Sequence, residues 1–144
     1  MLSIREIMTT DLFTLEASAT LAGAEQLMKT HRVRHIPIID VEKRLIGLIT
    51  QRDILAADKT GIFVSDVMRR DLYTISQTAD MRAAALMLQK HKIGSLPALQ
   101  GEKLVGIITD SDYVGLAINL LEQMEAIEPD DFDDYDAADA TDEV

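Results

Sequence analysis

The chain has 144 residues, 47% hydrophobic and 27% charged, with three prolines and seven glycines; this suits one globular domain, or two small halves sharing a core, and excludes disordered, collagenous and membrane chains. There is no cysteine, which excludes disulfides and thiolate metal centres, and no apolar run approaches the roughly 20 residues that span a bilayer. The net charge is −11, but nine of the 25 acidic residues lie in 128–144, leaving a near-neutral body of 16 acidic and 14 basic residues that argues against direct nucleic-acid binding, since that needs a net basic surface.

In chain order, residues 1–6 carry Arg5 and Glu6 and lack the apolar stretch of a secretory signal, so a cytoplasmic protein is expected. Residues 12–15 are a short β-prone run. Ser18 or Thr20 then offers an N-cap to a helix with Leu21, Ala24 and Met28 on one face. Buried strands are expected at 36–39 and 45–49, joined by a hairpin turn at 40–44, with a helix after Thr50. The order then recurs: a β-prone run at 72–75, a helix capped by Asp80 with Met81, Ala84 and Leu88 inward, strands at 96–99 and 104–108, and a helix after Thr109. This last helix is expected to reach about Ile127, with Val114, Ala117, Ile118, Leu121 and Met124 as one apolar stripe. Pro129 ends regular structure, and the acidic remainder is expected to be disordered. Met28, Met81 and Met87 read as core packing.

The recurrence is a sequence repeat. At an offset of 60, Met8 falls on Met68, Asp11 on Asp71, Leu12 on Leu72, Thr14 on Thr74, Ala24 on Ala84, His31 on His91 and Pro37 on Pro97. After a one-residue deletion in the hairpin turn, Leu45 falls on Leu104, Gly47 on Gly106, Ile49 on Ile108, Thr50 on Thr109 and Asp53 on Asp112. Three segments follow: 1–60 as a first repeat, 61–127 as a second with an extended terminal helix, and 128–144 as an acidic tail.

Each repeat ends in Thr-x-x-Asp: Thr50-Gln51-Arg52-Asp53 and Thr109-Asp110-Ser111-Asp112. This spacing makes a capping box, which needs no ligand. It also suits a nucleotide, because a threonine hydroxyl can donate to phosphate while an aspartate accepts from two ribose hydroxyls. Ser111 adds a hydroxyl to one motif and Arg52 a cation to the other. A second pair of segments precedes the buried strands, Val33-Arg34-His35-Ile36-Pro37 and Ile93-Gly94-Ser95-Leu96-Pro97. Proline sets the start of the strand, Gly94 admits a flat ring close to the backbone, and Val33 and Ile93 could supply an apolar wall.

Over residues 4 to about 120 this pattern resembles a tandem pair of cystathionine-β-synthase (CBS) domains, a Bateman module. The resemblance implies an α+β fold of two pseudo-twofold related β-α-β-β-α repeats packed sheet to sheet. It also implies a cleft between the repeats that holds up to two adenosyl ligands: AMP, ADP, ATP or S-adenosylmethionine. Each site would take its Thr-x-x-Asp from one repeat and its adenine wall from the other. One would combine Thr109, Ser111 and Asp112 with Phe13, Thr14, Val33, Arg34, His35 and Pro37. The other would combine Thr50, Arg52 and Asp53 with Tyr73, Thr74, Ile93, Gly94, Ser95 and Pro97. Arg34 departs from the family, where a small residue is common; it either fills its site or, the reading favoured here, reaches the phosphates with His35. The resemblance further implies a homodimer formed through helices.

His31 and His35 lie four apart, but the helix is expected to end near His31, so a helix-end histidine is favoured over a metal ligand. No catalytic residue is expected, since no nucleophile–base pair, glycine-rich phosphate loop or metal carboxylate motif stands out. The reading is a regulatory module, an energy sensor that binds an adenine nucleotide and signals to an unidentified protein partner. The alternatives are an S-adenosylmethionine sensor and a ligand-independent interaction scaffold.

Overall fold

The computed structural model describes residues 2–57 and 62–127; the tail expected to be disordered lies outside them. The elements are α1 (Leu21–His31), β1 (His35–Ile39), β2 (Leu45–Thr50), α2 (Gln51–Ala56), β3 (Ile75–Ser76), α3 (Met81–His91), β4 (Ser95–Gln100), β5 (Lys103–Thr109) and α4 (Asp110–Ile127), with single 3-10 turns at Ile4–Glu6 and Val64–Asp66. Two compact units separate at Thr109, one holding everything up to β5 and the other beginning with α4. Among the described residues no helix is long and apolar enough to cross a membrane.

The fold is α+β, with β1 and β2 forming one antiparallel sheet and β3, β4 and β5 a second. Helix α1 starts where Thr20 Oγ1 accepts the Gly23 N–H at 3.0 Å, so Thr20 is the cap rather than Ser18. Asp80 holds the equivalent position before α3 but caps through no side-chain bond. Both helices stop at a left-handed residue, Arg32 (φ 56°) and Lys92 (φ 53°). In the second hairpin Gln100 pairs with Lys103 around Gly101 (φ 65°), a conformation that glycine adopts without a side-chain clash. The first hairpin is one residue longer and is tied instead by Asp40. Its Oδ1 accepts the Glu42 and Arg44 N–H groups, each at 2.9 Å, and its Oδ2 accepts Arg44 Nε at 2.8 Å.

The β-prone runs at 12–15 and 72–75 are shorter than expected. Leu15 makes a lone parallel bridge to Ile38, and β3 is two residues paired with Ala98 and Leu99. The chain must turn at once to reach the next helix, and Ala19 N–H→Glu16 O and Ala79 N–H→Ser76 O close those turns. On the other side of the runs, Phe13 and Tyr73 are drawn into ring stacks on His31 and His91.

Packing crosses the boundary between the repeats. Ala24, Met28, Ile36, Ile38 and Ile49 of the first repeat are joined in one buried cluster by Val64 and Met68. Arg69 continues this attachment through reciprocal 2.9 Å backbone bonds with Leu48. Residues 2–9 mirror the arrangement on the second repeat. Ile4 N–H donates to Ala79 O at 2.9 Å, and Thr9 exchanges bonds with Ile107 at 2.9 and 3.0 Å. Ile4 and Val64 are fully buried. The paired glycines belong to this exchange. A Cβ on Gly106 would meet Met8 Sδ at 2.6 Å, and one on Gly47 would collide with Met68 Sδ. Each methionine therefore occupies the space that the absent side chain leaves.

Candidate functional site

The Thr50 motif is a complete capping box. Thr50 Oγ1 accepts the Asp53 N–H at 3.1 Å, and Asp53 Oδ2 accepts the Thr50 N–H at 3.0 Å. The other oxygen, Oδ1, accepts Arg69 Nε at 3.1 Å. The Asp53 side chain is 10% exposed, while that of Arg69 is 61% exposed. Both carboxylate oxygens are thus in use, although an ionised carboxylate offers about four acceptor positions and can take further donors. Arg69 was not legible as a site residue, since an ion pair across 16 positions has no local periodicity; its one signal is that a cation replaces Thr9 in the aligned repeats.

Around Thr50 the contacts come from its own repeat and from Arg69, in the segment that opens the second. His35 faces Thr50 across the β1–β2 ladder, and the Arg34 carbonyl accepts the Gln51 N–H at 2.9 Å. Arg52 is exposed on the first turn of α2. In the second repeat Ser95 faces Thr109 across the β4–β5 ladder, while Ser111 and Asp112 stand in the first turn of α4. The grouping of Arg34 and His35 with the Thr109 motif therefore rests on the family resemblance.

The wall residues divide by burial. Val33, Ile93, Gly94, Thr14 and Thr74 are half-buried, Ser95 is buried, and Pro37 and Pro97 are enclosed in their sheets. The prolines can shape a ligand wall but present no side-chain surface to it. Phe13 and Tyr73 are exposed and stack on the last residues of α1 and α3: Phe13–His31 at 4.0 Å and 19°, Tyr73–His91 at 3.9 Å and 18°. Each helix-end histidine thus supports the aromatic ring assigned to a ligand site. His31 closes α1 and His35 opens β1, so the two do not share a helical face. An open depression of about 520 Å³ between Thr14, Glu16, Asp40 and Lys43 takes in Thr14 alone of the candidate residues.

Comparison with known proteins decides the family. The CBS domain family matches residues 4–60 and 64–118. The chain is a tandem CBS pair. This pair is similar to a protein of Vibrio cholerae described as an acetoin utilization protein, AcuB, with 41% identity and a TM-score of 0.80 over 88% of this chain and 97% of that one. It is also similar to CBSX2, solved in complex with AMP, with 25% identity and a TM-score of 0.77 over 82% and 97% of the two chains. The CBS pair of protein MJ0100, solved with 5-methylthioadenosine and S-adenosyl-L-methionine, shares the fold at 24% identity and a TM-score of 0.75, over 80% and 98%. Among curated sequences, inosine-5'-monophosphate dehydrogenase of Staphylococcus epidermidis is 37% identical over 69% of this chain, which spans only 21% of that enzyme. The match thus covers only about a fifth of the length of the curated enzymes matched first.

Proposed function

We propose that this CBS pair is a regulatory module, not an enzyme, that binds an adenine nucleotide between its repeats and passes the ligand state to a protein partner. The observation that carries the reading is the Arg69–Asp53 contact. Arg69 is bridged to Leu48 and paired with Asp53 of the first repeat, and Tyr73 and Thr74 of the second repeat follow it by four and five residues, at most about 18 Å of chain. This favours a site in which Thr50, Arg52 and Asp53 of one repeat share a ligand with Tyr73, Thr74, Ile93, Gly94 and Ser95 of the other, backed by the buried Pro97. Asp53 accepts the ribose hydroxyls, Thr50 and Arg52 meet the phosphate, and Tyr73 and Ile93 flank the base. By the sequence repeat, Thr109, Ser111 and Asp112 form the second such motif. The AMP bound by the similar CBSX2 chain supports an adenosyl ligand; S-adenosylmethionine is the alternative.

Ligand shared by two repeats favours whichever arrangement of them it binds better, and shifts that equilibrium only by its differential affinity. The apolar stripe of α4 is exposed at Val114, Ile118, Leu121 and Met124, which suits the dimerisation expected of the family. A second reading, a constitutive scaffold, draws support from the capping box being complete on its own. A thermal-shift series with AMP, ADP, ATP and S-adenosylmethionine, followed by calorimetry, tests the proposal. A selective rise in melting temperature is expected, because a ligand bound only by the folded chain stabilises it by mass action; a flat series refutes it and favours the scaffold.

A further inference from the structure

We infer that the Asp53 site selects a phosphate-bearing adenosyl ligand, and that Arg69 imposes the selection. The inference rests on the nucleotide reading above and goes beyond it in naming the residue that makes the site discriminate for the phosphate. Three observations carry it.

The first is how Arg69 is held. Its main chain is fixed on β2 by two 2.9 Å bonds with Leu48, so its side chain is presented at Asp53 whether or not the ion pair forms. The second is the form of the pair. Arg69 reaches Asp53 through Nε at 3.1 Å and stays 61% exposed. A guanidinium carries five N–H donors in a fork suited to phosphate, and this bond uses one. An ion pair open to solvent on one side contributes little, so the guanidinium can extend to a phosphate, where charge-assisted bidentate bonds are strong, at little cost.

The third observation is the contrast between the repeats. Thr9 makes the bridge to Ile107 that Arg69 makes to Leu48, and Ser111 occupies the place of Arg52. Both cations thus belong to the Thr50–Asp53 motif, and their counterparts in the other repeat are neutral hydroxyls. A phosphate gives Arg69 and Arg52 an anion to meet. An uncharged nucleoside gives them none, and S-adenosylmethionine offers a carboxylate but sets it against a sulfonium and an ammonium, so that ligand stays net positive beside two cations.

Calorimetric titration of the full chain with AMP, adenosine and S-adenosylmethionine tests the inference. An Asp112→Ala background confines the heats to the Asp53 motif, and Arg69→Gln and Arg69→Lys are compared within it. We expect AMP to bind tightest. Arg69→Gln should weaken AMP by about ten- to a hundred-fold and leave adenosine within about twofold, the range for one charge-assisted contact. Arg69→Lys, which keeps the charge but loses the fork, should fall between and carries the test if the glutamine variant fails to fold. An AMP-to-adenosine ratio unchanged in the variants overturns the role of Arg69 while the nucleotide reading stands. A parent that prefers adenosine or S-adenosylmethionine overturns the phosphate selection. Absence of heat with all three compounds in the unmutated chain overturns the nucleotide reading and this inference together.

Discussion

Replacing Gly47 with alanine tests the exchanged packing of the two repeats. The new Cβ would collide with Met68 Sδ and lie 3.0 Å from Met68 Cγ. Met68 is 7% exposed and belongs to the cluster of Ala24, Met28, Ile36, Ile38 and Ile49, so it has little room to retreat. Overpacking of this kind costs about 1–3 kcal/mol. Gly115 is the internal control: it lies within α4 and a Cβ there meets nothing within 4 Å, so Gly115→Ala should stabilise by up to about 1 kcal/mol through helix propensity. Met68→Ala alone should cost about 2–5 kcal/mol by leaving a cavity. The Gly47→Ala/Met68→Ala double variant should then lose less than the two single variants combined, with a coupling on the order of 1 kcal/mol, because the alanine methyl enters space that the sulfur has vacated. Urea unfolding monitored by circular dichroism measures all four variants. If Gly47→Ala is as benign as Gly115→Ala, or the double variant is additive, then Met68 does not fill the glycine's place and the exchange is wrong.

Asp53→Ala should lower stability by about 0.5–1.5 kcal/mol through loss of its hydrogen bond to the Thr50 N–H, and should also weaken nucleotide binding; stability loss with unaltered calorimetric affinity would reduce the motif to a cap. Asp40 has its carboxyl held below the ordinary value of 3.8, first by the Arg44 N–H and further by its side chain. Its contribution is therefore complete above that value and is lost as the pH falls through the lowered one, so acid unfolding of Asp40→Asn should show a shallower pH dependence below pH 4 than the parent, and identical profiles would contradict this. Under the proposed dimerisation through α4, Ile118→Glu with Leu121→Glu should leave a monomer by light scattering where the parent is a dimer, with helix content retained; a parent that is already monomeric, or a dimer that survives both charges, contradicts the use of this face.

Much of this architecture was legible in the chain itself. The 60-residue repeat, the alternation of apolar segments and the Thr-x-x-Asp spacing placed four of the five strands and all four α-helices of the described residues close to their observed positions, because these signals are local and duplicated. The capping box at Thr50 was readable for the same reason: it depends on residues three apart. Proline at 37 and 97 marked the strands, although burial withdraws both rings from direct ligand contact. Local pattern along the chain thus set each repeat's elements and the chemistry each motif could perform. Which surfaces met depended on packing in three dimensions. It put Met68 under Gly47 and Met8 beside Gly106, so that each repeat's core is completed by the segment preceding the other. It stacked Phe13 and Tyr73 on the helix-end histidines, and it set Arg69 on Asp53. These are contacts between distant segments, chosen by shape and charge after the repeats have packed, and no periodicity along the chain encodes them.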